Sequence, residues 1–181
     1  KKSYAIRDAF LVFGSPAIGE DEITEVLEVL RSGWIGTGPK VAEFERKIGS
    51  YLNAKHAVAV NSATAALHLS FLASGIQAGD EVITTANTFC ATVNAIIHSG
   101  ATPVLVDMDR ATCNLDVSQI EEAVTSRTKA ICPVHYAGLP CEMDEIEKLA
   151  KKYNLMIIED CAHAVETLYN GKQAGTFGDF G

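Results

Sequence analysis

From His56 onward, short apolar runs alternate with stretches whose apolar residues recur at helical spacing, and this alternation restricts the possible folds more than any other feature. Strands are expected at His56–Val60, Glu81–Thr85, Pro103–Val106, Lys129–Val134 and Leu155–Glu159. Between them, helices are expected at Ala65–Ser74, Ala91–Ser99, Val117–Thr125 and Met143–Tyr153. Strands this apolar need cover on both faces, and crossover helices between parallel neighbours supply it. The pattern therefore predicts a three-layer α/β/α domain with a mostly parallel sheet. Asn170-Gly171, between Tyr169 and Lys172, signals a hairpin near the end.

Two helices precede the alternation. Glu20–Ser32 places Ile23, Val26, Leu27 and Leu30 on one face, and Gly33 suits the positive φ of a helix end. Residues 34–39 cannot continue it. A second helix follows, with Val41, Phe44, Ile48 and Leu52 as its inner face. These features divide the chain into an N-terminal helical segment, 1–54, and an α/β domain, 55–181.

Composition narrows the functional classes. With 48 % hydrophobic and 21 % charged residues, the chain is neither disordered nor fibrous. A net charge of −8 argues against a nucleic-acid binder, which needs a basic face. No apolar run is long enough to span a bilayer. Arg7 and Asp8 interrupt the apolar stretch that a signal peptide would need after Lys1 and Lys2. A cytoplasmic protein is expected. The five cysteines lack CxxC spacing, so reduced thiols are expected rather than a disulfide framework, and no metal site is expected.

Ligands of open α/β sheets bind beyond the carboxyl ends of the strands, so the residues there carry the functional reading. Asn61-Ser62-Ala63-Thr64 leads straight into a helix; it is either an ordinary N-cap or, through its small residues and free amides, an anion site. Asn87-Thr88-Phe89 offers an aromatic that is either core or a stacking platform. Asp107-Met108-Asp109 reads as a turn, and His135 stands out in Pro133–Gly138. At the last strand, Leu155-Met156-Ile157-Ile158 runs into Glu159-Asp160, with His163 three residues on. A carboxylate there needs a cation or donors, and a protonated pyridine nitrogen is one such cation. A phosphate loop at Ala63-Thr64, a ring at Phe89 and a carboxylate at Asp160 together suit pyridoxal 5'-phosphate. A lysine to anchor the cofactor completes such a site.

These residues resemble the DegT/DnrJ/EryC1/StrS sugar aminotransferases, within the fold type I class of pyridoxal-phosphate enzymes. The likeness runs from Pro16 to Gly181. It is carried by Ser32–Lys40 (Ser-Gly-Trp-Ile-Gly-Thr-Gly-Pro-Lys), Asn61–His68, Gly79–Ile83, Pro133–Gly138 and Glu159–Ala164. The Trp-Ile-x-Thr-Gly-Pro-Lys and Pro-Val-His-Tyr-Ala-Gly runs look most like the branch that makes UDP-4-amino-4-deoxy-L-arabinose.

The resemblance implies that Ala63 and Thr64 hold the cofactor phosphate and that Phe89 stacks on the pyridine ring. It implies that Asp160 pairs with the ring nitrogen and that His163 sits near the ring and its 3-hydroxyl. Trp34 and Thr37 are expected near the mouth of the site, in contact with substrate. Asp160 and His163 are the expected catalytic residues. The implied reaction moves an amino group from glutamate to a nucleotide-linked 4-keto sugar, in a homodimer. A 3-keto-sugar aminotransferase, a sugar dehydratase with histidine for lysine, and a non-catalytic regulatory member are the alternatives. In the family, Gly-Asp-Phe-Gly precedes an aromatic-Ser-Phe segment and the catalytic lysine, and this chain ends at Gly181. Residues 55–181 are thus expected to be the cofactor-binding large domain of a longer protein.

Overall fold

The computed structural model describes Phe10 and residues 14–181. Lys1, Lys2, Arg7 and Asp8, on which the signal-peptide reading rests, lie outside the described residues, as does the start of the 1–54 segment. Two compact units are present, one ending at Phe44 and the other comprising Glu45–Gly181.

Helix α1 covers Glu20–Ser32 and α2 covers Pro39–Tyr51. Acidic residues fill the first turn of α1, where the helix dipole favours them, and Glu22 accepts the Gly19 N–H at 2.6 Å. Gly33 closes α1 in the left-handed region at φ 74°. Pro39 opens α2 at the position where a missing N–H costs nothing. The α1 residues Ile23, Val26, Leu27 and Leu30 share a face yet remain exposed. Phe44, expected on the inner face of α2, is also exposed, because periodicity tells which residues share a face and not whether another element covers it.

In the second unit, α3 (Ala63–Ala73) precedes β1 (Glu81–Thr85), α4 (Cys90–His98), β2 (Thr102–Val106), α5 (Ile120–Ala123), β3 (Thr128–Cys132), α6 (Met143–Tyr153) and β4 (Met156–Ile157). The sheet is wholly parallel, in the order β2-β1-β3-β4. Its two faces carry two cores. On one, Leu67 and Phe71 of α3 and Ala95 and Ile96 of α4 meet Val82, Ala130 and Cys132. On the other, Ile120 of α5 and Met143, Ile146 and Ala150 of α6 meet Ile83 and Ile131. Successive strand residues thus face opposite cores, the three-layer arrangement expected from the alternation. A hairpin of β5 (Leu168–Tyr169) and β6 (Lys172–Gln173) follows, with Asn170 and Gly171 both at positive φ.

Three segments depart from expectation. Residues 56–60 alternate between exposed and partly buried side chains, with Val58 and Val60 exposed, but pair with no strand among the described residues. Helix 117–125 shrinks to a 3₁₀ turn at Val117–Gln119 and the single turn of α5. There Asp116 draws the Ser118 N–H, the Ser118 hydroxyl and the Gln119 amide to itself, and β-branched Val124 leaves the helix. Finally, β4 is short because one rung is missing. Ile158 N–H reaches Ile131 O at 3.0 Å, Asp160 N–H reaches Pro133 O at 2.9 Å, and His135 N–H reaches Asp160 O at 3.2 Å. The rung between them requires a donor at Pro133, which has none. The outer edge of β4 is covered by residues 178–180, where Asp179 N–H meets Ile157 O and Glu159 N–H meets Phe180 O, each at 2.8 Å.

No helix among the described residues is long and apolar enough to cross a membrane.

Candidate active site

The chain leaves β1 in one direction to form β2 and returns past it to form β3, so the strand order reverses between β1 and β3. The carboxyl ends of β1, β3 and β4 converge at this point, where doubly wound sheets bind ligands.

Asp160 lies here, 6 % exposed. Thr92 Oγ1 donates to its Oδ2 at 2.7 Å, and the Ala162 N–H to its Oδ1 at 3.2 Å. Both donors are neutral. The carboxylate borders a cleft of about 170 Å³ with Ala63, Ala66, Ser70, Cys161 and Ala162. Burial, reinforced by the charges of Glu159 and Asp160, pushes the Cys161 thiol well above its ordinary range.

Across the cleft stands the N-terminus of α3. Ser62 caps it: its Oγ accepts the Ala65 N–H at 3.1 Å, and its carbonyl accepts that of Ala66 at 3.0 Å. The N-cap reading of this loop is therefore correct, and it leaves room for the other. The amides of Ala63 and Thr64 point from an exposed first turn and find no acceptor among the described residues. A cap that satisfies the inner donors and frees the outer two at the positive end of an 11-residue helix is an anion site in form.

The other expected residues are less tightly gathered. Phe89 caps α4 at the end of β1, its ring 75 % exposed. His163 lines a second, open cleft of about 650 Å³ that shares Ala162 with the first. Its Nδ1 accepts the Ala137 N–H at 3.3 Å and its ring packs edge-on against Tyr136. Trp34 and Thr37 belong to the first unit, where the Trp34 indole N–H donates to Thr37 O at 2.9 Å. The indole lies over Gly38, where a Cβ would come within 2.1 Å of Nε1. At the end of β2, Asp109 serves a turn, accepting from the amides of Ala111 and Thr112 and the Thr112 hydroxyl.

Two residues, Thr92 and Asn114, and one pairing, that of Glu159 with His135, are absent from the sequence reading. Thr92 was unremarked in its helix. Asn114, almost fully buried, accepts from Tyr136 N–H and donates to Leu139 O and Pro140 O, pinning the loop after β3. Glu159 forms a closed network with His135, Gly175, Phe177 and Gly178. The buried carboxylate at a strand end was the available signal, but its partners come from distant parts of the chain. His135, Glu159 and Cys161 also bring their ligand atoms within 4.8 Å of one another. The lone pairs of Glu159 and both His135 nitrogens are nevertheless committed to hydrogen bonds.

A buried carboxylate with only neutral donors fits a cationic ring nitrogen, and two free amides at the opposite wall fit a phosphate. The donor set therefore suits pyridoxal 5'-phosphate. The architecture is that of the large domain of fold type I pyridoxal-phosphate transferases. Residues 16–181 match the DegT/DnrJ/EryC1/StrS aminotransferase family, and the chain belongs to it.

Its relatives include an uncharacterized protein, MJ1066, of Methanocaldococcus jannaschii, 55 % identical over 96 % of this chain and 45 % of that protein. The spore coat polysaccharide biosynthesis protein SpsC of Bacillus subtilis is 52 % identical over 96 % of this chain and 44 % of its own length. Among solved structures, the putative sugar aminotransferase Spr1654 of Streptococcus pneumoniae in its PLP form superposes with a TM-score of 0.88 at 40 % identity. That match covers 93 % of this chain and 47 % of Spr1654. The chain spans about half the length of the curated relatives it matches.

Proposed function

We propose that the protein containing this chain transfers the amino group of glutamate to a nucleotide-linked 4-keto sugar, with pyridoxal 5'-phosphate as cofactor. The observation that carries this reading is Asp160, a buried carboxylate whose neutral partners leave its charge for a ligand beside the Ala63 cleft. The bound cofactor supplies an electron sink through which an amino group passes between donor and acceptor. Ala63 and Thr64 hold its phosphate through their free amides, with the Thr64 hydroxyl as a further donor. Asp160 keeps the ring nitrogen protonated. Phe89 offers its exposed ring for stacking, and His163 supplies an imidazole near the 3-hydroxyl. Trp34 and Thr37 contribute to substrate binding. The 4-keto position rests on the sequence runs shared with the branch that makes UDP-4-amino-4-deoxy-L-arabinose. A cytoplasmic homodimer belongs to the same reading.

The test uses the full-length protein with glutamate and a UDP-linked 4-keto pentose, the amino sugar being read by mass. Asp160→Asn should lower turnover at least about a hundredfold while cofactor affinity changes little, since the lost charge acts on ring electronics. Unchanged turnover in that variant removes Asp160 from the mechanism. Amination of only 3-keto sugars, or release of a dehydrated sugar, replaces the substrate assignment.

A further inference from the structure

Behind Asp160 stands a directed chain of two hydroxyls. Thr92, wholly buried in the first turn of α4, spends its single proton on Asp160 Oδ2 at 2.7 Å. Thr88 and Thr92 also bring their Oγ1 atoms to 2.7 Å. With the Thr92 proton already committed, Thr88 must be the donor of that pair. The chain therefore runs Thr88 to Thr92 to Asp160, and every link presents a proton toward the carboxylate. The other oxygen, Oδ1, is held by the Ala162 N–H at 3.2 Å. Both oxygens are thus pinned and the carboxylate plane cannot turn freely.

We infer that Thr92 is a positioning residue for the amino-transfer reaction, with Thr88 behind it, orienting Asp160 and holding it as the ionised acceptor that meets the cofactor ring nitrogen. The inference rests on the reading of Asp160 as that nitrogen's partner. Two features favour it over simple satisfaction of a buried polar group. A single donor would have sufficed for Oδ2, whereas the second hydroxyl polarises the first. In addition, Thr88 directly precedes Phe89, so one turn of backbone ties the expected stacking ring to the carboxylate. Both contacts with the ring are then set by the start of α4.

The experiment uses the full-length protein loaded with pyridoxal 5'-phosphate labelled with ¹⁵N in the ring. Its nitrogen chemical shift reports directly whether the ring nitrogen carries a proton. Thr92→Val removes the hydroxyl at nearly constant volume, and Thr92→Ser keeps it. The expected result is a protonated nitrogen in the parent and Thr92→Ser proteins, and a signal displaced toward the unprotonated position in Thr92→Val. In the same variant, kcat should fall about ten- to a hundredfold with KM for glutamate within about twofold. Thr88→Val should displace the signal in the same direction by less, and it carries the test if Thr92→Val does not fold. A protonated parent whose signal is unmoved in the folded valine variants overturns the inference alone. Equal displacement in Thr92→Ser and Thr92→Val also overturns it, because packing and not the hydroxyl would then be responsible. An unprotonated ring nitrogen in the parent protein overturns the reading of Asp160 and the inference with it.

Discussion

His135 Nε2 lies 3.0 Å from Glu159 Oε2, with both side chains fully withdrawn from water. The imidazole Nδ1 accepts the Cys141 N–H at 3.1 Å, so its proton sits on Nε2 and is donated to Glu159. The same carboxylate accepts the amides of Gly175, Phe177 and Gly178, each at 2.8 Å. One carboxylate thereby joins the loop after β3, the end of β4 and the turn at 175–178. Asp160, the next residue, is held in place by this junction.

Glu159→Gln should cost about 2–4 kcal/mol of stability, because an amide group replaces one of two oxygens and faces buried donors with a donor of its own. Urea unfolding of the full-length protein measures it as a lower midpoint at constant slope. A loss under about 0.5 kcal/mol, the range of an ordinary surface substitution, would show that the network is dispensable.

Acid should expose the same carboxylate. Burial pushes the Glu159 carboxyl up, but the hydrogen bonds from His135, Gly178 and Gly175 outweigh it, so it lies below its ordinary 4.5. A group depressed in the folded state contributes stability that is complete above the unfolded value and is lost as pH falls through the folded one. The urea midpoint of the parent protein should therefore decline below pH 4.5 more steeply than that of Glu159→Gln. Parallel declines would assign the acid sensitivity to other groups.

Gly178→Ala tests the covered edge of β4. A Cβ at Gly178 would come within 2.4 Å of Ile157 O and 2.8 Å of its Cγ2. Residues 178–180 must then draw back, at about 1–3 kcal/mol. Hydrogen exchange at the amides of Asp179 and Glu159, which bond across this edge, should accelerate. Unchanged protection would mean that the edge tolerates the extra carbon.

Asn114 offers a test by sign. Its amide nitrogen donates to Leu139 O at 3.0 Å and Pro140 O at 3.1 Å. Asn114→Asp turns that donor into an acceptor facing two carbonyls, so it should destabilise more than Asn114→Ala, by at least about 1 kcal/mol. Cleavage within 136–140 under limited proteolysis should quicken in the same order. The reverse order would show that the side chain fills space and does not clamp the loop.

Much of the fold was legible locally. β1 and α6 keep their expected bounds because their signals, a β-branched run at Val82–Thr85 and an apolar stripe at helical spacing, lie within one segment. The Asn170-Gly171 turn needs only residues that adopt positive φ. Asp160 could be singled out because a carboxylate at the end of an apolar strand demands a partner. Residues 56–60 show the limit: their alternation is strand-like, but a ladder also needs a neighbour.

The sequence by itself determined where most of the helices and strands form and that small residues and a carboxylate stand at the strand ends. Side-chain periodicity and turn chemistry are properties of neighbours along the chain, so they need no fold to be read. Only the tertiary structure decided the strand order, the rung lost at Pro133, and which groups meet. Thr92 reaches Asp160 across 68 positions of sequence and His135 reaches Glu159 across 24. Such contacts depend on strand register and on crossovers that bring distant segments together. No local pattern encodes them, because either partner would look the same in a sequence that never brought the other near.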